Sequence, residues 1–258
     1  MKTAAFLLVG CSICLAADPV RIILVGDSTM AVKSGWGPGF CGEIVSSDVT
    51  CLNMAKGGRS SGSYRAEGSW AQVMAKLKEP GNFSATYVLI QFGHNDQPGK
   101  PGRSTDLATE FPVNIRNYVE EVKAAGARPV LVTPLTRRSF RGGKVKDDLG
   151  PWADATRKVG IAEKVPVLEL NADSLAAVQK MGPVEANTLA MAPPPPVVAE
   201  SAASGNSVSA PKTAERQGEA APLFDYTHLG AKGSAFFAHM VAGELAAAVP
   251  ALAPYVRH

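Results

Sequence analysis

Five short runs of the chain are almost wholly apolar: RIILV (21–25), CLNM (51–54), TYVLIQF (86–92), RPVLVT (128–133) and VPVLEL (165–170). Near-continuous rather than alternating hydrophobicity at this length suits strands covered on both faces. Between them the period changes. Trp70, Val73, Met74 and Leu77 form one apolar stripe at helical spacing, and Phe111, Ile115, Tyr118 and Val122 form another. Gly126 follows the second stripe where a C′ glycine would end the helix. A last helix carries Phe237, Met240, Val241 and Leu245. Strands alternating with helices predict an α/β fold with right-handed crossovers and helices on both faces of a parallel sheet. Five strands suit an open, flavodoxin-like sheet. In such a sheet the ligand crevice lies beyond the carboxyl ends of the strands, near the switch between strands 1 and 3.

Two stretches fall outside this pattern. From about 183 to 222 the chain is rich in Pro, Ala and Ser and lacks both periodicities, which predicts a disordered insertion within one domain. At the other end, Lys2 precedes AAFLLVGCSICLAA, an apolar run too short for a membrane of ~30 Å. With Ala16 or Ala17 as a small-residue cleavage site, residues 1–17 read as an export signal. LVGC at 8–11 also resembles a lipobox, which would leave Cys11 as a lipid anchor; simple export is favoured.

Composition narrows the classes. Hydrophobic residues make up 46% of the 258, enough for a sizeable core, and the net charge of +3 gives no case for a nucleic-acid partner. One local cluster is more basic: Arg137, Arg138, Arg141, Lys144 and Lys146. It reads as a solvated loop, with an acidic substrate as the sharper alternative. Cys41 and Cys51 would lie in an oxidising compartment after export. Placed early in a helix and at the start of the next strand, they are expected at opposite ends of the layer, as two unbridged thiols.

The chemistry-bearing stretches sit where a crevice would need them. GDS (26–28) ends strand 1, NMAKGGRS (53–60) follows strand 2, GHND (93–96) follows strand 3, and DYTHL (225–229) precedes the last helix. Each has a plain structural reading as turn or cap. Together they supply what acyl transfer requires: a hydroxyl, an imidazole to take its proton, a carboxylate to orient the imidazole, and amide donors for an oxyanion. Asp27 and Asp96 are expected to order their own turns.

This set, in this order, resembles the SGNH (GDSL-like) hydrolases, and within them the rhamnogalacturonan acetylesterases. The likeness runs from GDSTM through W-G-x-G, N-x-A-x-x-G-R-S, Q-F-G-H-N-D and V-T-P-L-x-R-R to D-x-T-H. It implies a single hydrolase domain over 18–258 with a three-layer α/β/α sandwich. It implies Ser28 as nucleophile, His228 as general base and acid, and Asp225 as its orienting carboxylate. The oxyanion hole would be Ser28 N–H, Gly58 N–H and the Asn95 amide. Arg59 and His94 are weaker candidates for substrate contact, with a structural role the plainer account of each. No metal or cofactor is implied. The function implied is an exported, monomeric esterase that removes O-acetyl groups from plant cell-wall polysaccharide, most readily rhamnogalacturonan. Other acyl esters (acetylxylan, a lipid or a thioester) and a non-catalytic carbohydrate-binding protein remain open alternatives.

Overall fold

A computed structural model describes residues 18–209 and 224–257. The export signal, its cleavage site and the lipobox therefore lie outside the described residues, as does the 210–222 part of the insertion. Among the described residues seven strands occur in chain order: β1 Val20–Gly26, β2 Val49–Asn53, β3 Ala85–Gln91, β4 Arg128–Val132, β5 Phe140–Arg141, β6 Lys144–Val145 and β7 Val167–Leu168. β5 and β6 form a small antiparallel hairpin, and the other five make one parallel sheet in the order β2-β1-β3-β4-β7. The chain leaves β1 for β2 on one side and then returns to β3 on the other. The topological switch therefore falls at the carboxyl end of β1, where a ligand crevice belongs in this class of sheet.

Alternation along the strands divides the core into two layers. Ile23, Val25, Val88 and Ile90 pack with Trp70, Val73, Phe111, Ile115 and Tyr118 from the helices Ser69–Lys78 and Phe111–Ala124. Ile22, Leu24, Leu89 and Val130 face the opposite way, onto Phe237, Val241 and Leu245 of the helix Ala231–Ala248. The central strands β1, β3 and β4 are covered on both sides, which is why their sequences carry no polar alternation. The three-layer α/β/α arrangement and the five-strand sheet are as expected. The fifth strand is shorter than VPVLEL, because Glu169 already caps the helix Leu170–Asn187.

Two expectations are corrected. Cys41 and Cys51 form a disulfide, with Cα atoms 5.4 Å apart. The helix expected to start near Cys41 does not form. In its place stand a three-residue turn at Gly37–Gly39 and one π-helical turn, Phe40–Ile44, which leave Cys41 beside β2. The second correction concerns the insertion. Residues 183–187 continue a helix past a break at Gly182, and Pro196–Ala203 forms another with Val198 and Ala202 buried. Proline at the start of that helix leaves no required N–H unmade. The following residues fasten to the hairpin: Ser207 N–H donates to Phe140 O at 3.0 Å and Gly143 N–H to Gly205 O at 2.8 Å. Few but well-placed apolar contacts and hairpin pairing order what composition alone marks as unstructured.

Candidate active site

The carboxyl ends of β1, β2 and β3 are neighbours, so the GDS, GGRS and GHND segments emerge side by side. Gly26 is required at the end of β1, since a Cβ there would stand 2.6 Å from Gln91 O of β3. Asp27 then folds the turn. Its Oδ1 accepts from Thr29 N–H and Thr29 Oγ1–H, both at 2.8 Å. Gln91 Nε2 donates to Thr29 Oγ1 at 2.6 Å, and Trp36 Nε1 donates to Gln91 Oε1 at 2.9 Å. This buried network holds Ser28 at the strand end with 7% of its surface exposed. Burial works to raise the Asp27 carboxyl, but His94 and the two Thr29 donors hold it below its ordinary value.

The β2 loop closes against this turn. Gly57 lies against Ser28, and Gly58 takes a left-handed φ of 77° that a side chain would disfavour. Asn95, after β3, donates one amide hydrogen from Nδ2 to Arg59 O at 3.1 Å, leaving the other available. Among the described residues, Ser28 N–H and Gly58 N–H donate to no protein acceptor. Asp96 ties the neighbouring loops together, accepting from Ser61 N–H at 3.0 Å, Ser61 Oγ–H at 2.5 Å and Thr105 Oγ1–H at 3.0 Å. Burial nevertheless raises its carboxyl to about 6. Asp27 and Asp96 thus order their turns as expected.

The fourth segment comes from far away in sequence. Asp225 Oδ2 lies 2.7 Å from His228 Nδ1, while its Oδ1 accepts from the N–H groups of Thr227 and His228, each at 2.7 Å. Burial would raise the Asp225 carboxyl, but the bonds from the His228 ring and the two N–H groups bring it to about 2. It does not cap the last helix, whose N-cap is Gly230. Leu229 N–H donates to Ser34 O at 2.9 Å, and Ser34 Oγ donates to Ser28 O at 2.8 Å, which moors this segment beside the Ser28 turn. The structure makes the Asp225–His228 pair but no hydrogen bond from Ser28 Oγ to His228. Such bonds are often long in free enzymes and tighten on binding.

Both of the weaker candidates make contacts within the protein. His94 is 2% exposed, its Nδ1 facing Asp27 Oδ2 at 3.5 Å, and burial lowers its pKa. A ring so enclosed does not reach a polysaccharide, which removes His94 from the substrate contacts. Arg59 spends Nε on Glu67 and Nη1 on Gly57 O, both at 2.8 Å, and so braces the glycine loop.

Arg138 closes the V-T-P-L-x-R-R stretch, but its role was not read from the sequence. It lay in the basic cluster read as a solvated loop, yet it is fully buried. Nη2 donates to Asp225 O at 2.9 Å and His228 O at 2.8 Å, Nη1 to Thr227 O at 3.3 Å, and its backbone N–H to Tyr226 O at 2.9 Å. Burial lowers the guanidinium to about 10 against the opposing pull of Asp225. Arg137 pairs with Asp148, so the basic cluster splits into one buried clamp, one ion pair and an exposed remainder. The signal available was the long apolar approach of β4 to it, LVTPL, which continues the buried layer almost to Arg138.

Comparison with known proteins places this geometry. The GDSL-like lipase/acylhydrolase family model matches residues 24–236. The chain belongs to this family. It is a carboxylic ester hydrolase. A rhamnogalacturonan acetylesterase of Bacillus subtilis is 36% identical over 179 residues, covering 66% of this chain and 73% of that protein. One from Emericella nidulans is 41% identical over 135 residues, covering 52% and 50%. Among solved structures, a Bacillus subtilis protein, YxiM, matches with a TM-score of 0.64 at 24% identity, over 88% of this chain and 56% of that longer one. An acetylxylan esterase of Geobacillus stearothermophilus matches with a TM-score of 0.56 at 14% identity, over 87% and 93%. The structural likenesses bear on the fold alone.

Proposed function

We propose that this protein is an exported carbohydrate O-acetylesterase whose substrate is acetylated rhamnogalacturonan, working through an acyl-enzyme on Ser28. The observation that carries the chemistry is the gathering of three open donors and a hydroxyl on adjacent strand ends, with a carboxylate-oriented imidazole moored alongside. The polymer is carried by the relatives' names, at 36% and 41% identity. Export rests on the residues 1–17 alone; no helix among the described residues is long and apolar enough to cross a membrane.

In this mechanism Ser28 Oγ attacks the acetyl carbonyl carbon while its proton passes to His228 Nε2. Asp225 holds the proton on Nδ1 and stabilises the imidazolium that forms. The carbonyl oxygen becomes an oxyanion among Ser28 N–H, Gly58 N–H and the free hydrogen of Asn95 Nδ2. Collapse breaks the bond to the sugar oxygen, which leaves with the proton from His228. Water then gives a proton to His228 and attacks the acetyl-enzyme. Acetate departs and Ser28 recovers its proton.

The test is acetate release from acetylated rhamnogalacturonan, acetylxylan and an aryl acetate by wild type and Ser28→Ala. The proposal expects release from rhamnogalacturonan that is lost in the variant. Release from acetylxylan or aryl acetate alone keeps the chemistry and discards the polymer. Tight polysaccharide binding with no Ser28-dependent release from any of them leaves a binding protein.

A further inference from the structure

The turn after the Asn95 loop presents two cations, Lys100 and Arg103, with no carboxylate partner among the described residues. Lys100 N–H donates to Ser104 Oγ, and Ser104 Oγ donates to Gln97 O, both at 2.9 Å. Thr105 N–H donates to Asp96 O at 2.9 Å, one residue from Asn95. The turn is therefore fixed to the oxyanion side of the crevice. Arg103 Nη1 donates to Gly58 O at 3.3 Å and to Asn95 Oδ1 at 3.4 Å, in contact with two of the three proposed oxyanion residues. Only that one nitrogen is used; Nε and Nη2 make no hydrogen bond among the described residues.

Neither Lys100 nor Arg103 forms an ion pair among the described residues, although Arg59 and Arg137 beside them are matched to Glu67 and Asp148. Both are only partly exposed. Lys100 is held below its ordinary pKa by burial and by Arg137 and Arg103, against the pull of Asp27 and Asp148. Like charges are being crowded where an anion would relieve them.

We propose that Lys100 and Arg103 form a carboxylate site beside the oxyanion hole, which takes a uronate carboxylate of the polysaccharide close to the acetyl group. The free edge of the Arg103 guanidinium matches the two oxygens of a planar carboxylate, and Lys100 adds a point charge at its side. The assignment rests on the polysaccharide reading above, and it names which substrate feature the site selects. Arg138 and Arg137 of the 137–146 loop are already engaged within the protein.

The experiment measures inhibition of aryl acetate hydrolysis by a galacturonate trisaccharide and by the same trisaccharide with its carboxyls reduced to alcohols. The ratio of the two inhibition constants does not depend on how fast each variant turns over. Wild type is expected to bind the acidic form at least about tenfold more tightly. The ratio should fall towards unity in Lys100→Gln/Arg103→Gln, and calorimetric titration in a Ser28→Ala background should give the same ratios without turnover. Equal inhibition by the two forms in wild type, or a preference that survives in the double variant, overturns the site. Acetate release from acetylated rhamnogalacturonan, run alongside, separates failure of the polymer reading from failure of the carboxylate site.

Discussion

The proposed nucleophile and the proposed base are held by different kinds of structure. Ser28 sits at the end of a central strand, braced by Asp27, Thr29, Gln91 and Trp36 through buried hydrogen bonds. His228 and Asp225 lie on an irregular segment, with 35% and 42% of their side-chain surfaces exposed, and three of that segment's carbonyls depend on one guanidinium. On the first side position follows from strands that the fold must make anyway. On the second it depends on a cation borrowed from the β4 end of the sheet. The hydroxyl is thereby held in a buried network, while the group proposed to exchange protons with substrate and water keeps an open face.

The comparison can be broken from either side. The largest effect is expected on the strand side: Asn95→Ala removes one proposed oxyanion donor and should lower kcat by ~10²–10³, with KM little changed. An unchanged kcat would take Asn95 out of the oxyanion hole. On the clamped side, Arg138→Met leaves carbonyls of Asp225, Thr227 and His228 without their donor. Misplacement of the base should lower kcat by up to about 10²-fold, with Arg138→Lys recovering part of it. Ser28 should keep its surroundings in both variants. A fall in KM effects alone, with kcat intact, would mean that Arg138 only shapes the surface.

The smallest effect lies away from the site and calibrates the others. Glu244, on the last helix, is raised to about 8 by burial and by the carboxylates of Asp173 and Glu169. Its folded pKa stands above an unfolded value of about 4.3, so the folded state holds the proton more tightly. The stability that this proton confers is complete below the unfolded value and is lost as pH rises through about 8. Glu244→Gln should therefore match wild type near pH 5 and melt about 2–4 °C higher at pH 9, with activity at pH 7 unaltered. Thermal scans across that range that run parallel would show that Glu244 is solvated.

What was legible in the sequence follows the same division. GDS, GGRS and GHND are contiguous with apolar strands, so their place at one end of the sheet can be read from hydrophobic runs and the switch-point rule. The Asp225–His228 pair lies three residues apart and was legible through its motif. Arg138 was not, because its role depends on contacts 87 to 90 positions away that no local period encodes. The disulfide was missed for a related reason: a short turn in place of a helix changed which end of the layer Cys41 reached. Residues 183–209 were misjudged because composition measures average hydrophobicity. Their order depends on a few buried positions, Ala186, Leu189, Val198 and Ala202, and on pairing to a hairpin.

The account's central claim is that a Ser28 fixed by strands is activated by a His228 held in place by Arg138. The most direct test is the rate at which a small fluorophosphonate labels the protein, followed by mass spectrometry of the labelled peptide, in wild type, His228→Ala and Arg138→Met. The account predicts a single adduct on Ser28, formed rapidly in wild type, slowly in Arg138→Met and slowest in His228→Ala. An adduct on another residue, or labelling of Ser28 at one rate in all three proteins, would contradict it.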